Sequence, residues 1–84
     1  MGMMENLVHW QIIDNRLVRV FVFENFVQCV NFVSQLSEIA EAANHHPDIE
    51  IFNYCHVKVS LTTHDAGQKV TQKDFDFALA IENL

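Results

Sequence analysis

The side chains best suited to chemistry lie in the stretch Glu41-Ala42-Ala43-Asn44-His45-His46-Pro47, where two of the five histidines stand side by side ahead of the only proline. Imidazole is the side chain whose ordinary titration falls closest to neutral pH, so such groups can serve as general acid and general base. The spacing puts His45 and His46 at the C-terminal end of a helix, whose partial negative charge attracts an imidazolium. Glu41 precedes His45 by four residues, the interval at which helical side chains meet, so its carboxylate is expected to act on His45 in the same sense as the helix end. A plainer reading makes the histidines simple helix caps, and position alone leaves both open.

His64 ends a strand and is followed by Asp65 and Gly67. Loops at strand ends often carry functional side chains, although spacing does not show whether His64 faces His45 and His46. A zinc site is not expected: neighbouring histidines seldom both reach one ion, and the chain has no H-x3–5-H or CxxC pair. His9 beside Trp10 reads as a structural strand residue. Cys29 falls on a helix stripe and Cys55 shares the core parity of Val57, so neither reads as a nucleophile. Asp74 is expected to cap a helix rather than to act in catalysis.

The elements that must position these residues follow from periodicity. Residues 7–13 and 17–23 are rich in β-branched and aromatic side chains around Asp14-Asn15-Arg16, which predicts a β-hairpin. From about Asn25 the apolar positions Phe26, Cys29/Val30, Val33, Leu36, Ile39/Ala40 and Ala43 recur every three or four residues, the stripe of an amphipathic helix. Glu24 or Asn25 can cap its start, and Pro47 should end it by residues 44–46. Residues 49–54 and 55–63 predict a second strand pair, with Val57, Val59 and Leu61 on one face. Residues 65–70 form a loop. Thr71 and Asp74 make a capping box that opens a helix over about 72–83. That helix is apolar on two sides, Phe75, Ala78 and Leu79 on one and Phe77, Ala80, Ile81 and Leu84 on the other, which implies packing against another subunit. The order is β-β-α-β-β-α, an α+β fold expected to form a four-stranded antiparallel sheet with both helices on one face.

Composition bounds the function. Residues 1–84 are expected to be one domain, short enough to bury only about two-thirds or less of the surface its unfolded form exposes. Half the residues are hydrophobic and seven are Phe, which again points to a partner subunit. The formal charge is −6 and the five Lys and Arg are scattered, so no basic stripe exists to follow a nucleic-acid backbone. Two isolated cysteines fit a reducing compartment. No signal segment and no apolar run of about 18 residues is seen, so a cytoplasmic location without membrane contact is expected.

Glu41-x3-His45-His46-Pro47, then Tyr54, then Leu61-Thr62-Thr63-His64-Asp65, then Asp74, resembles the signature of the pterin-4a-carbinolamine dehydratases. That family includes a bifunctional animal protein that is also the dimerisation cofactor of a homeodomain transcription factor. The resemblance runs from about Trp10 to the C-terminus. It implies dehydration of a 4a-hydroxytetrahydropterin to the quinonoid dihydropterin, in tetrahydrobiopterin metabolism, with no metal or organic cofactor. It also implies a homodimer or homotetramer, with sheet edges pairing dimers and helices pairing tetramers. Carried over by motif, His45, His46 and His64 form a catalytic and binding trio, with His45 and His64 as the acid/base pair and His46 positioning the pterin. Glu41 would orient His45, Asn44, Thr63 and Asp65 would line the pocket, and Trp10 would offer an apolar wall. The chain departs from the family in three places. Barely nine residues precede Trp10 where the family has a helix, so that helix is expected to be short or absent. Asn44 stands where many members have Asp, and the loop Gly67-Gln68-Lys69-Val70 is one residue longer than the common form. The competing reading is a non-catalytic dimerisation or regulatory module on the same scaffold, which would need the helix faces and not the imidazoles.

Overall fold

A computed structural model of the chain describes residues 9–84. Within them the order is β1 (Gln11–Ile13), β2 (Arg16–Val22), α1 (Phe26–Ala43), β3 (Asp48–Phe52), β4 (His56–Leu61), a short 3-10 turn (His64–Ala66) and α2 (Gln72–Glu82). The strands form one antiparallel sheet in the order β1-β2-β4-β3. This is the expected β-β-α-β-β-α arrangement. The expected short or absent N-terminal helix and the first two residues of the expected 7–13 strand lie outside the described residues.

Each hairpin follows from its turn residues. Asp14 and Asn15 both adopt left-handed backbone, with φ of 51° and 63°, as a two-residue turn matched to strand twist requires. Ile13 consequently pairs with Arg16, which is the first residue of β2 rather than part of the turn. Strand β1 is also shorter than expected. His9 is an exposed turn residue, and Trp10 leaves the sheet to bury its ring edge-on to Phe21, 6.0 Å between centroids.

The core lies between one sheet face and both helices. Leu17 of β2 and Val57, Val59 and Leu61 of β4 are buried on that face as their alternation predicts. Against them pack Cys29, Leu36 and Ala40 of α1 and Phe77, Ala78 and Ile81 of α2. Two expectations need correction. Phe26, Val30 and Ala43, placed on the core stripe of α1, are exposed, whereas Phe32, which lies off that stripe, packs against the core beside the expected Val33 and Ile39. Of the second stripe of α2, Phe77 and Ile81 are buried within this chain and need no other subunit to cover them, whereas Leu84 stays exposed. Ser60 and Thr62 of the opposite parity are also buried, Thr62 donating its hydroxyl to the Asn15 carbonyl at 3.0 Å.

Candidate active site

Three chain segments meet at one end of the sheet: the exit of α1, the exit of β4 and the first turn of α2. Asn25 caps the start of α1, its side chain accepting from Gln28 N–H at 2.9 Å. At the other end Asn44 takes a left-handed conformation, φ 50° and ψ 44°. Its N–H reaches the Glu41 carbonyl at 3.4 Å and that of His45 reaches the Ala40 carbonyl at 3.1 Å. These two bonds are the reversal that commonly ends helices at a glycine or asparagine. Asn44 therefore stops the helix before Pro47 acts.

The reversal changes which side chains meet. His45 has left the helical spiral, so the four-residue relation to Glu41 no longer holds. Glu41 Oε2 instead contacts His46 Nε2 at 2.7 Å, and this pair is largely exposed. His45 turns inward, where its Nε2 lies 2.6 Å from Asp74 Oδ1 and its ring meets the edge of Phe77, 6.2 Å between centroids. The His45 side chain is 12% exposed and that of Asp74 is fully buried. Glu41 thus touches His46, and His45 has a different carboxylate.

Asp74 does cap α2, accepting the Thr71 N–H at 2.9 Å in a capping box. It also accepts the Thr63 hydroxyl at 2.8 Å, and Thr63 Oγ1 lies 2.6 Å from Thr71 Oγ1. A carboxylate has room for about four hydrogen bonds, so one cap does not exhaust it. That spare capacity leaves room for a further donor, although nothing in the spacing names His45 as the one.

Past β4 the chain is folded back on Thr63, whose N–H donates to Lys69 O at 2.9 Å and whose carbonyl accepts from Ala66 and Gln68 N–H groups at 3.2 and 3.0 Å. Gly67, at φ 79°, closes the 3-10 turn by donating to the His64 carbonyl at 3.0 Å. His64 sits on this turn, exposed, just past the strand end as expected. Its ring has no hydrogen-bonding partner among the described residues.

A cleft of about 330 Å³ opens where the segments meet, a size in the range of small-molecule sites. His45, His46 and His64 line it together with Asn44, Thr63 and Asp65. Six of the eight residues singled out from the sequence thus share one cavity. Glu41 reaches it through His46. Trp10 does not line it: its ring is in the core and its indole N–H donates to Glu82 Oε2 at 3.2 Å. Pro47, Asp48 and Lys73 also line the cleft, and sequence spacing gave no reason to place them there. Asp48 is paired with Arg16 at 2.6 Å.

The cysteines lie elsewhere. Cys55 sits in the turn before β4, at the far end of that strand from Thr63, with its sulfur 3.3 Å from His56 Nδ1. Cys29 is buried in the core beneath that turn, 3.6 Å from the Tyr54 carbonyl. Burial pushes the Cys29 thiol up from its ordinary range, with neighbouring Cys55 acting in the same direction, so Cys29 is a poor nucleophile.

Known proteins share both sequence and fold with this chain. The family model described as Pterin 4 alpha carbinolamine dehydratase matches residues 2–84. A protein of Picosynechococcus sp. named "Putative pterin-4-alpha-carbinolamine dehydratase" is 55% identical over 75 residues, covering 89% of this chain and 79% of its own length. A protein of the same name from Chloroflexus aurantiacus is 47% identical over 75 residues, covering 89% and 78%. The crystal structure of a transcriptional coactivator/pterin dehydratase from Brucella melitensis superposes with a TM-score of 0.85 at 30% identity, over 96% of this chain and 86% of that one. A pterin dehydratase-like protein identified as a RuBisCO assembly factor in the alpha-carboxysome shares the fold, with a TM-score of 0.68 at 21% identity over 88% and 83%. With its β-β-α-β-β-α sheet, its histidine-lined cleft and these matches along nearly its whole length, the chain belongs to the pterin 4 alpha carbinolamine dehydratase family.

Proposed function

We propose that the cleft binds a 4a-hydroxytetrahydropterin and catalyses its dehydration to the quinonoid dihydropterin. Loss of the 4a-hydroxyl needs a proton delivered to the leaving oxygen and another removed from the ring nitrogen, work suited to imidazoles. His45 and His64 form the acid/base pair, and His46, tethered to Glu41, positions the pterin. Asn44, Thr63 and Asp65 line the pocket. The observation that carries this reading is the gathering of three histidines, from segments 18 or more residues apart, onto one cleft. Trp10, in the core, has no place in it.

The same family contains a protein described as a coactivator as well as a dehydratase, so a binding role on this scaffold is the second reading. Exposed Phe26, Val27 and Val30 on one side of α1 support it, and also support a homodimer or homotetramer. Retention of all three histidines favours the enzyme. No helix among the described residues is long and apolar enough to cross a membrane, in keeping with a cytoplasmic site of action. Stopped-flow absorbance of carbinolamine decay tests the enzyme reading: the protein should accelerate it over buffer, and a rate equal to the uncatalysed one would leave the binding role.

A further inference from the structure

We propose that the N-terminal cap of α2 is also the device that fixes the tautomer of His45, with Asp74, Thr63 and Thr71 as positioning residues. This rests on the dehydratase reading only for its catalytic consequence; the tautomer itself follows from hydrogen-bond geometry.

A carboxylate can only accept, so each group bonded to Asp74 must donate to it. At Oδ2 the donors are the Thr71 N–H at 2.9 Å and the Thr63 hydroxyl at 2.8 Å. Because the Thr63 proton is committed to Asp74, the 2.6 Å contact between the two threonine oxygens is filled by the Thr71 hydroxyl donating to Thr63. Every donor around Oδ2 is thereby ordered, and the carboxylate plane is held with Oδ1 toward His45. Oδ1 then accepts from His45 Nε2 at 2.6 Å. The neutral ring carries its proton on Nε2, and Nδ1, without a partner among the described residues, holds the free lone pair.

The three histidines are therefore not equivalent. His45 is locked by a buried carboxylate and His46 is tethered through a largely exposed pair, while neither ring nitrogen of His64 has a partner among the described residues. A fixed lone pair backed by a buried anion is the arrangement of a general base, since the imidazolium formed on proton uptake is stabilised where it stands. His45 is accordingly the base and His64 the acid. The proton on the pterin ring nitrogen passes to His45 Nδ1, and the C=N bond forms as the C4a–O bond breaks. The hydroxyl leaves as water with the proton of His64.

Asp74→Asn gives the sharpest test. The Oδ2 position must still accept from Thr71 and Thr63, so the amide oxygen takes it and the NH2 falls opposite His45. His45 Nε2 then has to accept, which moves the ring proton to Nδ1. Imidazole 15N shifts should show His45 of the wild type as the Nε2–H tautomer and of Asp74→Asn as the Nδ1–H tautomer. The turnover number should fall at least about tenfold, and by as much as about 10⁴-fold, with a smaller change in KM. Thr63→Val should give a mixture of tautomers and a partial loss, and Thr63→Ser should restore both. Melting temperatures of all variants identify loss from unfolding, which would not invert a tautomer. A wild-type His45 protonated on Nδ1, or Thr63→Val and Thr63→Ser behaving alike, would overturn the proposal. A locked tautomer in a protein without dehydratase activity would leave the device standing and remove the catalytic reading.

Discussion

The left-handed residue at the end of α1 is what aims the histidines, so Asn44 is the place to perturb the scaffold. Its backbone, at φ 50° and ψ 44°, lies where a β-carbon crowds the following carbonyl. For ordinary residues that costs about 1–2 kcal/mol; asparagine tolerates it better and glycine is free of it. Asn44→Ala should therefore be less stable than Asn44→Gly by about 1–2 kcal/mol. In a domain of this size that separates their melting temperatures by roughly 4–16 °C. Asn44→Asp restores the residue common in the resembling family. It keeps a tolerated conformation but adds a negative charge at the negative end of a helix, which costs about 0.3–1 kcal/mol. Urea denaturation followed by circular dichroism gives the order Gly, Asn, Asp, Ala from most to least stable, with Asn and Gly close together. Equal stability of Asn44→Ala and Asn44→Gly would refute the left-handed turn and with it the account of why His45 meets Asp74 rather than Glu41.

Two other substitutions separate the core from the site. Phe77, 3% exposed, belongs to the chain's own core, so Phe77→Asp should cost at least about 3–5 kcal/mol and unfold the chain; a folded monomer by circular dichroism and light scattering would restore the subunit-interface reading of α2. Glu41→Gln removes the anion of a mostly exposed pair with His46, and such pairs contribute about 1 kcal/mol or less. Steady-state kinetics should show a change below about tenfold, mainly in KM; a collapse of turnover would mean that Glu41 acts on the reacting atoms.

Much of the fold is legible in the sequence. Alternation in residues 57–61 placed Val57, Val59 and Leu61 inside, and Thr71 with Asp74 marked the start of α2, because both signals are local and periodic. The partner of His45 was not legible. Its four-residue relation to Glu41 assumes that the helix continues, and one left-handed residue, Asn44, cancels it. Asp74 lies 29 residues away, and a contact at that separation leaves no periodic trace. Trp10 carried a family match, yet its ring is held in the core by Phe21 and Glu82. Phe77 and Ile81 read as interface residues because two apolar stripes on a short helix do not reveal which positions the sheet and α1 cover; these two are covered, and Leu84 is not. Lys73 reaches the cleft only because the loop doubles back on Thr63.

The central claim is that His45 and His64 act on one bound pterin. Carbinolamine dehydration followed spectroscopically for the wild type, His45→Ala and His64→Ala tests it most directly. Each imidazole should contribute about 10²–10⁴-fold to the rate. Wild-type catalysis with losses of that size in both variants is the predicted result; catalysis that survives either substitution at the wild-type rate would contradict it.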